Sequence, residues 1–265
     1  MNSRSLKREV IVQKLVEDLE PLEYVDALWE AGAIAFHRVD EWSDIDLYLV
    51  VDDKKVDDAF LAVEKALKSL SPIERKYQPP VPPEPNIAQA FYKLELASEY
   101  LLVDLAIMQR SGRERFLEPE IHGNAVFHFN KSGKIRIPHT DRNALGERIL
   151  ERKGRLEGRM DMFNNFVMKE INRGNLIEAI DNYHYLTLGS LLEALRMKHN
   201  PYHFDFKTRY VHYELPTEVI HRLQHLYFVR DENDLRQKYS EATAWFRQTM
   251  SEIDTNRIRA LVQEG

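Results

Sequence analysis

The character of the chain changes at Pro138. Before it, short apolar runs alternate with two helical patterns; after it, every patterned stretch has helical spacing. A chain of this kind cannot be a single uniform layer. It predicts an α+β protein: a mixed sheet with flanking helices over residues 1–139, then a helical bundle over residues 140–265. At 265 residues, each part is long enough to bury a core of its own.

In the first part, Leu6, Val10, Val12, Leu15 and Leu19 fall near helical spacing and predict a helix over 5–19. Residues 24–29 read as a strand closed by Gly32, and 45–51 as a second strand entered through Ser43 and Asp44. Phe60, Leu61, Val63, Leu67 and Leu70 predict a helix over 56–70. Five of the eleven prolines then crowd into 79–85, which excludes helix or inner strand and predicts a stiff surface loop. Residues 90–96 and 100–108 read as one hairpin, and 125–129 with 134–137 as another.

In the second part, Thr140 or Asp141 can cap a helix running to about residue 173, where Gly174 stops it. A helix over 176–198 ends at Asn200-Pro201. Pro216 opens a helix over 217–228, and 231–250 is the last long one.

Several function classes fall away. The chain has no cysteine, so thiolate metal sites, cysteine nucleophiles and disulfides are excluded, and a cytoplasmic location is the expectation. No apolar run is long enough to span a bilayer, and the first ten residues lack the apolar stretch of a signal peptide. A net charge of -6 argues against dedicated nucleic-acid binding. Only Gly32 precedes Gly112, so a P-loop or a dinucleotide fingerprint is absent from the first hundred residues.

The chemistry concentrates between Gly32 and Leu47. Asp44 and Asp46 are two apart on a predicted strand, so both carboxylates share a face while Ile45 and Leu47 point into the core. Two ionised carboxylates so close need a cation. Hard oxygen ligands select Mg²⁺ or Mn²⁺, which commonly complete their shell with phosphate oxygens. Gly32 ends the preceding strand, and a helix opening at Ala33 would offer free N–H groups to a phosphate. A third carboxylate, Asp104, interrupts the apolar run Leu102-Val103-Asp104-Leu105-Ala106. A lone aspartate there is costly unless paired or metal-bound. Glu95 on the neighbouring strand is the alternative.

With Gly32-Ala33 preceding Ser43-Asp44-Ile45-Asp46-Leu47, residues 24–51 resemble the nucleotidyltransferase superfamily that includes DNA polymerase beta, and within it the antibiotic adenylyltransferases. Their signature is Gly-Ser followed on the next strand by Asp-x-Asp, with a third acid on a neighbouring strand. The resemblance implies a nucleotidyltransferase-type sheet domain, Mg²⁺ held by Asp44, Asp46 and Asp104, and ATP as nucleotide donor. It implies Gly32, Ala33, Arg38 and Ser43 at the nucleotide, and a small-molecule hydroxyl acceptor such as an antibiotic. Two positions depart from it. Ala33 replaces the serine, removing a phosphate contact on the order of 1–3 kcal/mol. His37 stands where a second glycine is common, as a turn residue or as a partner for phosphate; Arg38 carries the pH-independent charge.

The second part resembles the helical domain of such adenylyltransferases more loosely. Lys207 and Arg209, in the aromatic and basic segment 201–210, are placed to reach nucleotide phosphates. The alternating arginines and glutamates of 142–159 read as a salt-bridged solvated face. Two rival readings follow from the same resemblance: an antitoxin-like enzyme that modifies a protein, and a nucleotide-binding pseudoenzyme. Arg196 and His203 have the spacing of a nuclease motif found in partners of such antitoxins, but Asn200-Pro201 breaks any helix joining them. Oligomeric state is not legible.

Overall fold

In the computed structural model, residues 6–80, 84, 86–133, 135–253 and 255–264 are described. The chain divides into two units, Met1–Thr140 and Asp141–Gly265. The first runs α1 (Arg8–Leu19), β1 (Val25–Glu30), β2 (Ile45–Val51), α2 (Val56–Leu70), β3 (Ile73–Tyr77), β4 (Ile87–Leu94), β5 (Val103–Gln109), α3 (Pro119–His122) and β6 (Val126–Asn130). Its six strands form one mixed sheet in the order β3-β4-β5-β2-β1-β6. The β2–β5 pair is parallel and the other pairs are antiparallel.

Alternation along β2 sorts the two faces. Ile45, Leu47 and Leu49 join Val103, Leu105 and Ile107 against Ile11 and Leu15 of α1 and Val63 and Leu67 of α2. The opposite face gathers Ala27, Trp29, Val50, Ala106, Met108 and Leu117. α2 forms over its expected range because its apolar stripe meets the sheet, with Asp57 and Asp58 in the first turn and Lys68 in the last, each favourable to the helix dipole.

Several expectations are corrected. α1 starts at Arg8, since Leu6 instead bridges to Ala97 beside the sheet; residue 5 lies outside the described residues. β3 was not foreseen. Its Ile-Glu-Arg-Lys-Tyr run is charged because it is a sheet edge, where Lys and Glu discourage further pairing. The expected hairpin of 125–129 with 134–137 does not form. β6 pairs with β1, while Asn130 holds the backbone of Ile135 through Nδ2–H to O at 2.8 Å; residue 134 is outside the described residues. The proline loop expected at 79–85 falls partly outside them too, at 81–83 and 85.

The second unit is helical: α4 (Arg142–Phe163), α5 (Phe166–Arg173), α6 (Leu176–Asn182), a π-helical stretch (Tyr183–Leu188), α7 (Gly189–His199), a 3₁₀ turn (Pro201–His203), α8 (Val211–Glu214), α9 (Thr217–Tyr227), α10 (Glu232–Glu252) and α11 (Thr255–Glu264). Asp141 and Asp231 cap α4 and α10. The single helix expected up to 173 is broken at Asn164. Its buried amide donates to the Tyr239 and Thr243 hydroxyls and accepts from Thr187, and satisfying a buried amide across three helices outweighs helical continuity. Pro216 precedes α9 as its cap residue rather than sitting in its first turn. Neither α8 nor α11 was foreseen. Among the described residues no helix is long and apolar enough to cross a membrane.

Candidate active site

Three chain segments meet on the sheet face opposite α1 and α2. The first is the end of β1. Gly32 has φ +64°, and a Cβ there would fall 1.8 Å from Asp46 Oδ2. Both the backbone conformation and the space therefore demand glycine. Ala31 N–H donates to the Asp46 carbonyl at 2.9 Å, locking this turn to β2.

The helix expected to open at Ala33 is only a 3₁₀ turn, Ile34–Phe36. One such turn has no helix dipole to offer a phosphate, so that part of the sequence reading is corrected. The turn is held instead by its neighbours. His37 closes it in the left-handed conformation at φ 56°, which explains a position suited to glycine. Arg38 N–H returns to the Ala33 carbonyl at 2.9 Å, and its guanidinium lies 5.1 Å from the Phe36 ring centre. Gly123 packs so close to Ala35 that a Cβ would come within 2.7 Å of its carbonyl oxygen, and Asn124 N–H donates to that oxygen at 2.8 Å. Ser43 serves its own turn: its hydroxyl donates to Asp40 Oδ1 at 2.7 Å and accepts from Asp40 N–H.

The second and third segments are β2 and β5. Their parallel register sets Asp46 directly beside Asp104. Registered neighbours point to the same face, so the two carboxylates share it. Asp44 sits just before β2, where Leu102 N–H donates to its Oδ1 at 3.2 Å. Burial raises the Asp44 carboxyl above its ordinary value, against the Leu102 bond and the charge of Lys93. Burial also raises Asp104; the bond from Gln89 opposes the rise and the charge of Asp44 adds to it. Gln89, on β4, donates from Nε2 to Asp104 Oδ1 at 2.7 Å. Sequence reading missed it, because only the β4–β5 register brings it to Asp104. Glu95 lies past the end of β4 and is exposed. Below the acids the same face continues into aromatic packing, with Trp29 stacked on Tyr48 at 5.5 Å and Phe116 against Tyr48.

Asp44, Asp46 and Asp104 are hard oxygen donors. Burial raises the Asp44 and Asp104 carboxyls, and the charge of Asp44 adds to the rise at Asp104; a bound divalent cation would oppose both. Among the described residues no three His, Asp or Glu side chains form a ready-made cation cage. Carboxylate oxygens are the donor type that Mg²⁺ and Mn²⁺ take.

In the helical unit, Lys207 (φ 51°) borders a cavity of about 460 Å³, which Arg152, Arg159, Tyr185 and Tyr227 also line. The shape of this loop is set by Arg196, which is wholly buried. It donates from Nε to the Lys207 carbonyl at 2.7 Å, from Nη2 to the Arg209 carbonyl, and from Nη1 to Glu214 at 2.7 Å. His203 binds the other Glu214 oxygen at 2.9 Å. The Arg209 guanidinium lies 5.6 Å from the Phe206 ring centre. Arg196 and His203 are thus joined through a carboxylate inside the core and are closed to solvent.

No protein-family model matches the chain, and no curated protein matches it. Among solved structures, the chain is similar to an aminoglycoside 6-adenyltransferase from Bacillus subtilis, at 14% identity and a TM-score of 0.33, over 93% of this chain and 90% of that one. A likeness at that level assigns the chain to no family, and the functional reading rests on the residues themselves.

Proposed function

We propose that the protein is a metal-assisted nucleotidyltransferase that moves a nucleotidyl group, most simply adenylyl from ATP, to a hydroxyl of a small-molecule acceptor such as an antibiotic. The observation that carries this reading is the β2–β5 register, which sets Asp46 beside Asp104 on one face with Gly32 closed down onto Asp46.

Each residue has a defined part. Asp44 and Asp46, with Asp104 adjoining, would hold Mg²⁺ or Mn²⁺, whose charge would offset that of the triphosphate. Gly32 and Ala33 let a phosphate approach the backbone without a side chain in the way. Arg38 supplies a fixed positive charge. Asp104, kept basic by burial and oriented by Gln89, accepts the proton of the acceptor hydroxyl. The hydroxyl oxygen then bonds to the α-phosphorus as the bond to the bridging oxygen breaks, and pyrophosphate leaves. Positioning and charge neutralisation provide most of the rate.

The test is release of pyrophosphate from ATP with Mg²⁺ across a panel of hydroxyl acceptors, comparing the native chain with Asp44→Asn/Asp46→Asn. The double variant is expected to remain folded and to lose Mg²⁺-dependent transfer. Transfer at the native rate would refute the assignment. The missing hydroxyl at Ala33 favours one second reading, a protein that binds nucleotide without transferring it. Thermal stabilisation by Mg²⁺-ATP with no pyrophosphate from any acceptor would select that reading.

A further inference from the structure

Beyond Asp104 the acid-bearing face continues across two more strands. Asp46 is registered with Asp104, Asp104 with Phe91 of β4, and Phe91 with Tyr77 of β3. Registered neighbours point to the same face, so two acids and two aromatic rings follow one another across four strands. The Phe91 and Tyr77 ring centres are 6.1 Å apart. Phe91 is half-buried and Tyr77 is 61% exposed, so the pair is a platform open to solvent at the sheet edge.

Two residues along each strand, on the same face, Arg75 stands directly opposite Lys93. Both are exposed. Like charges directly opposite across a strand pair are destabilising unless something answers them. Among the described residues neither has a carboxylate at ion-pair distance, and Lys93 Nζ–H donates to the Glu99 carbonyl at 3.1 Å. Lys76, which points to the opposite face, is by contrast paired with Glu64 of α2 at 2.7 Å. The cations of β3 thus have a counter-charge on the α2 side and none on the side of Asp104.

The position of this strip in the sheet gives it a task. Gly32-Ala33 follow β1, on one side of β2, and Asp104 is on β5, on the other. In an in-line displacement the leaving and attacking oxygens stand on opposite sides of the α-phosphorus. With pyrophosphate leaving toward Gly32-Ala33, the attacking hydroxyl enters over β5 beside Asp104, and the rest of the acceptor lies over β4 and β3.

We propose that this strip is the acceptor site, and that the acceptor is an aromatic alcohol carrying an anionic group. Its ring lies on Phe91 and Tyr77. Its anion meets Arg75 and Lys93, where the guanidinium fork suits a carboxylate. Its hydroxyl oxygen bonds to the α-phosphorus, the hydroxyl proton passes to Asp104, and pyrophosphate leaves. A polycationic acceptor would bring ammonium groups to two uncompensated cations. The part played by the hydroxyl rests on the nucleotidyl-transfer reading; recognition of the ring and the anion does not.

The probe is meta-(hydroxymethyl)benzoate, titrated into the full chain with and without Mg²⁺-ATP. Without nucleotide, saturable amide shifts in the NMR spectrum are expected at residues 75–77 and 91–93. With Mg²⁺-ATP, the KM read from pyrophosphate release should rise from this probe to benzyl alcohol, which lacks the anion, and again to meta-(hydroxymethyl)benzylamine, in which an ammonium replaces it. Arg75→Glu should weaken the benzoate several-fold and leave benzyl alcohol unchanged, whereas Tyr77→Ser should weaken both. Both side chains are exposed, so neither change disturbs the core. Shifts on β3 and β4 with no pyrophosphate from any acceptor would uphold the site for the aromatic acid and refute nucleotidyl transfer. Pyrophosphate with other acceptors, but neither shifts nor turnover with the benzoate, would refute this inference and leave transfer standing. Equal or tighter binding of the benzylamine, shifts centred elsewhere, or no effect of Arg75→Glu on the benzoate would also overturn it.

Discussion

The molecule buries charge in two opposite ways. On the sheet, Asp44, Asp46 and Asp104 bring like charges together, and the pKa values of Asp44 and Asp104 move up. In the helical unit, Glu214 is held by Arg196 and His203, and its carboxyl is pushed down to about 2. Burial raises all three groups. On Glu214 the bonds from His203 and Arg196 overcome it; on Asp104 the single Gln89 bond does not. The helical cluster is complete without a ligand and reads as structural. The sheet acids Asp44 and Asp104 keep raised values, and in the proposed function that is where a cation would bind.

The sharpest test of the difference is Asp104→Asn. Turnover is expected to fall by roughly 10²–10⁴-fold, the usual effect of removing a general base, while ATP affinity falls much less. Thermal stability without metal should hold or rise, because one of three repelling charges is gone. A variant that loses stability instead would place Asp104 with the structural charges. Glu214→Gln should do the reverse. It leaves buried Arg196 without its counter-charge and should cost about 3–5 kcal/mol of unfolding free energy, read by urea denaturation.

Acid should separate the clusters as well. Glu214 has a depressed folded pKa, so its contribution is present above the unfolded value of about 4.3 and is lost as pH falls toward about 2. Asp104 has a raised folded pKa. Its ionisation opposes folding as pH rises past the usual aspartate value near 3.8, and metal-free stability is expected to gain on mild acidification. Melting curves of Glu214→Gln and Asp104→Asn against pH should each flatten the corresponding limb. The smallest effect is expected from Ala33→Ser. Ala33 is in the right-handed helical region, where serine fits without strain, and nucleotide affinity should hold or tighten by up to about tenfold. A large loss would remove Gly32-Ala33 from the phosphate path.

Local pattern carried the sequence reading a long way. β2 and α2 match their expected ranges residue for residue, because alternation and a helical stripe are properties of a few neighbours. The charged β3 was invisible because edge strands do not carry a buried pattern, and the break at Asn164 because its cause lies on α10 and the π-helical stretch. That Asp44 and Asp46 share a face was readable from spacing alone. That Asp104 joins them depended on which strand lay beside β2 and in what register.

What the sequence determined by itself was therefore the inventory: the two-part α+β plan, the acids, and a glycine before them. The tertiary structure alone decided which groups face one another. Gln89 reaches Asp104 through a hairpin register, His128 meets Glu30 across 98 positions through one bulged residue, and Arg196 finds Glu214 across a loop. The reason is that backbone preference acts over a few residues, while a charge in a low-dielectric interior answers to whatever group the packing brings within a few ångströms.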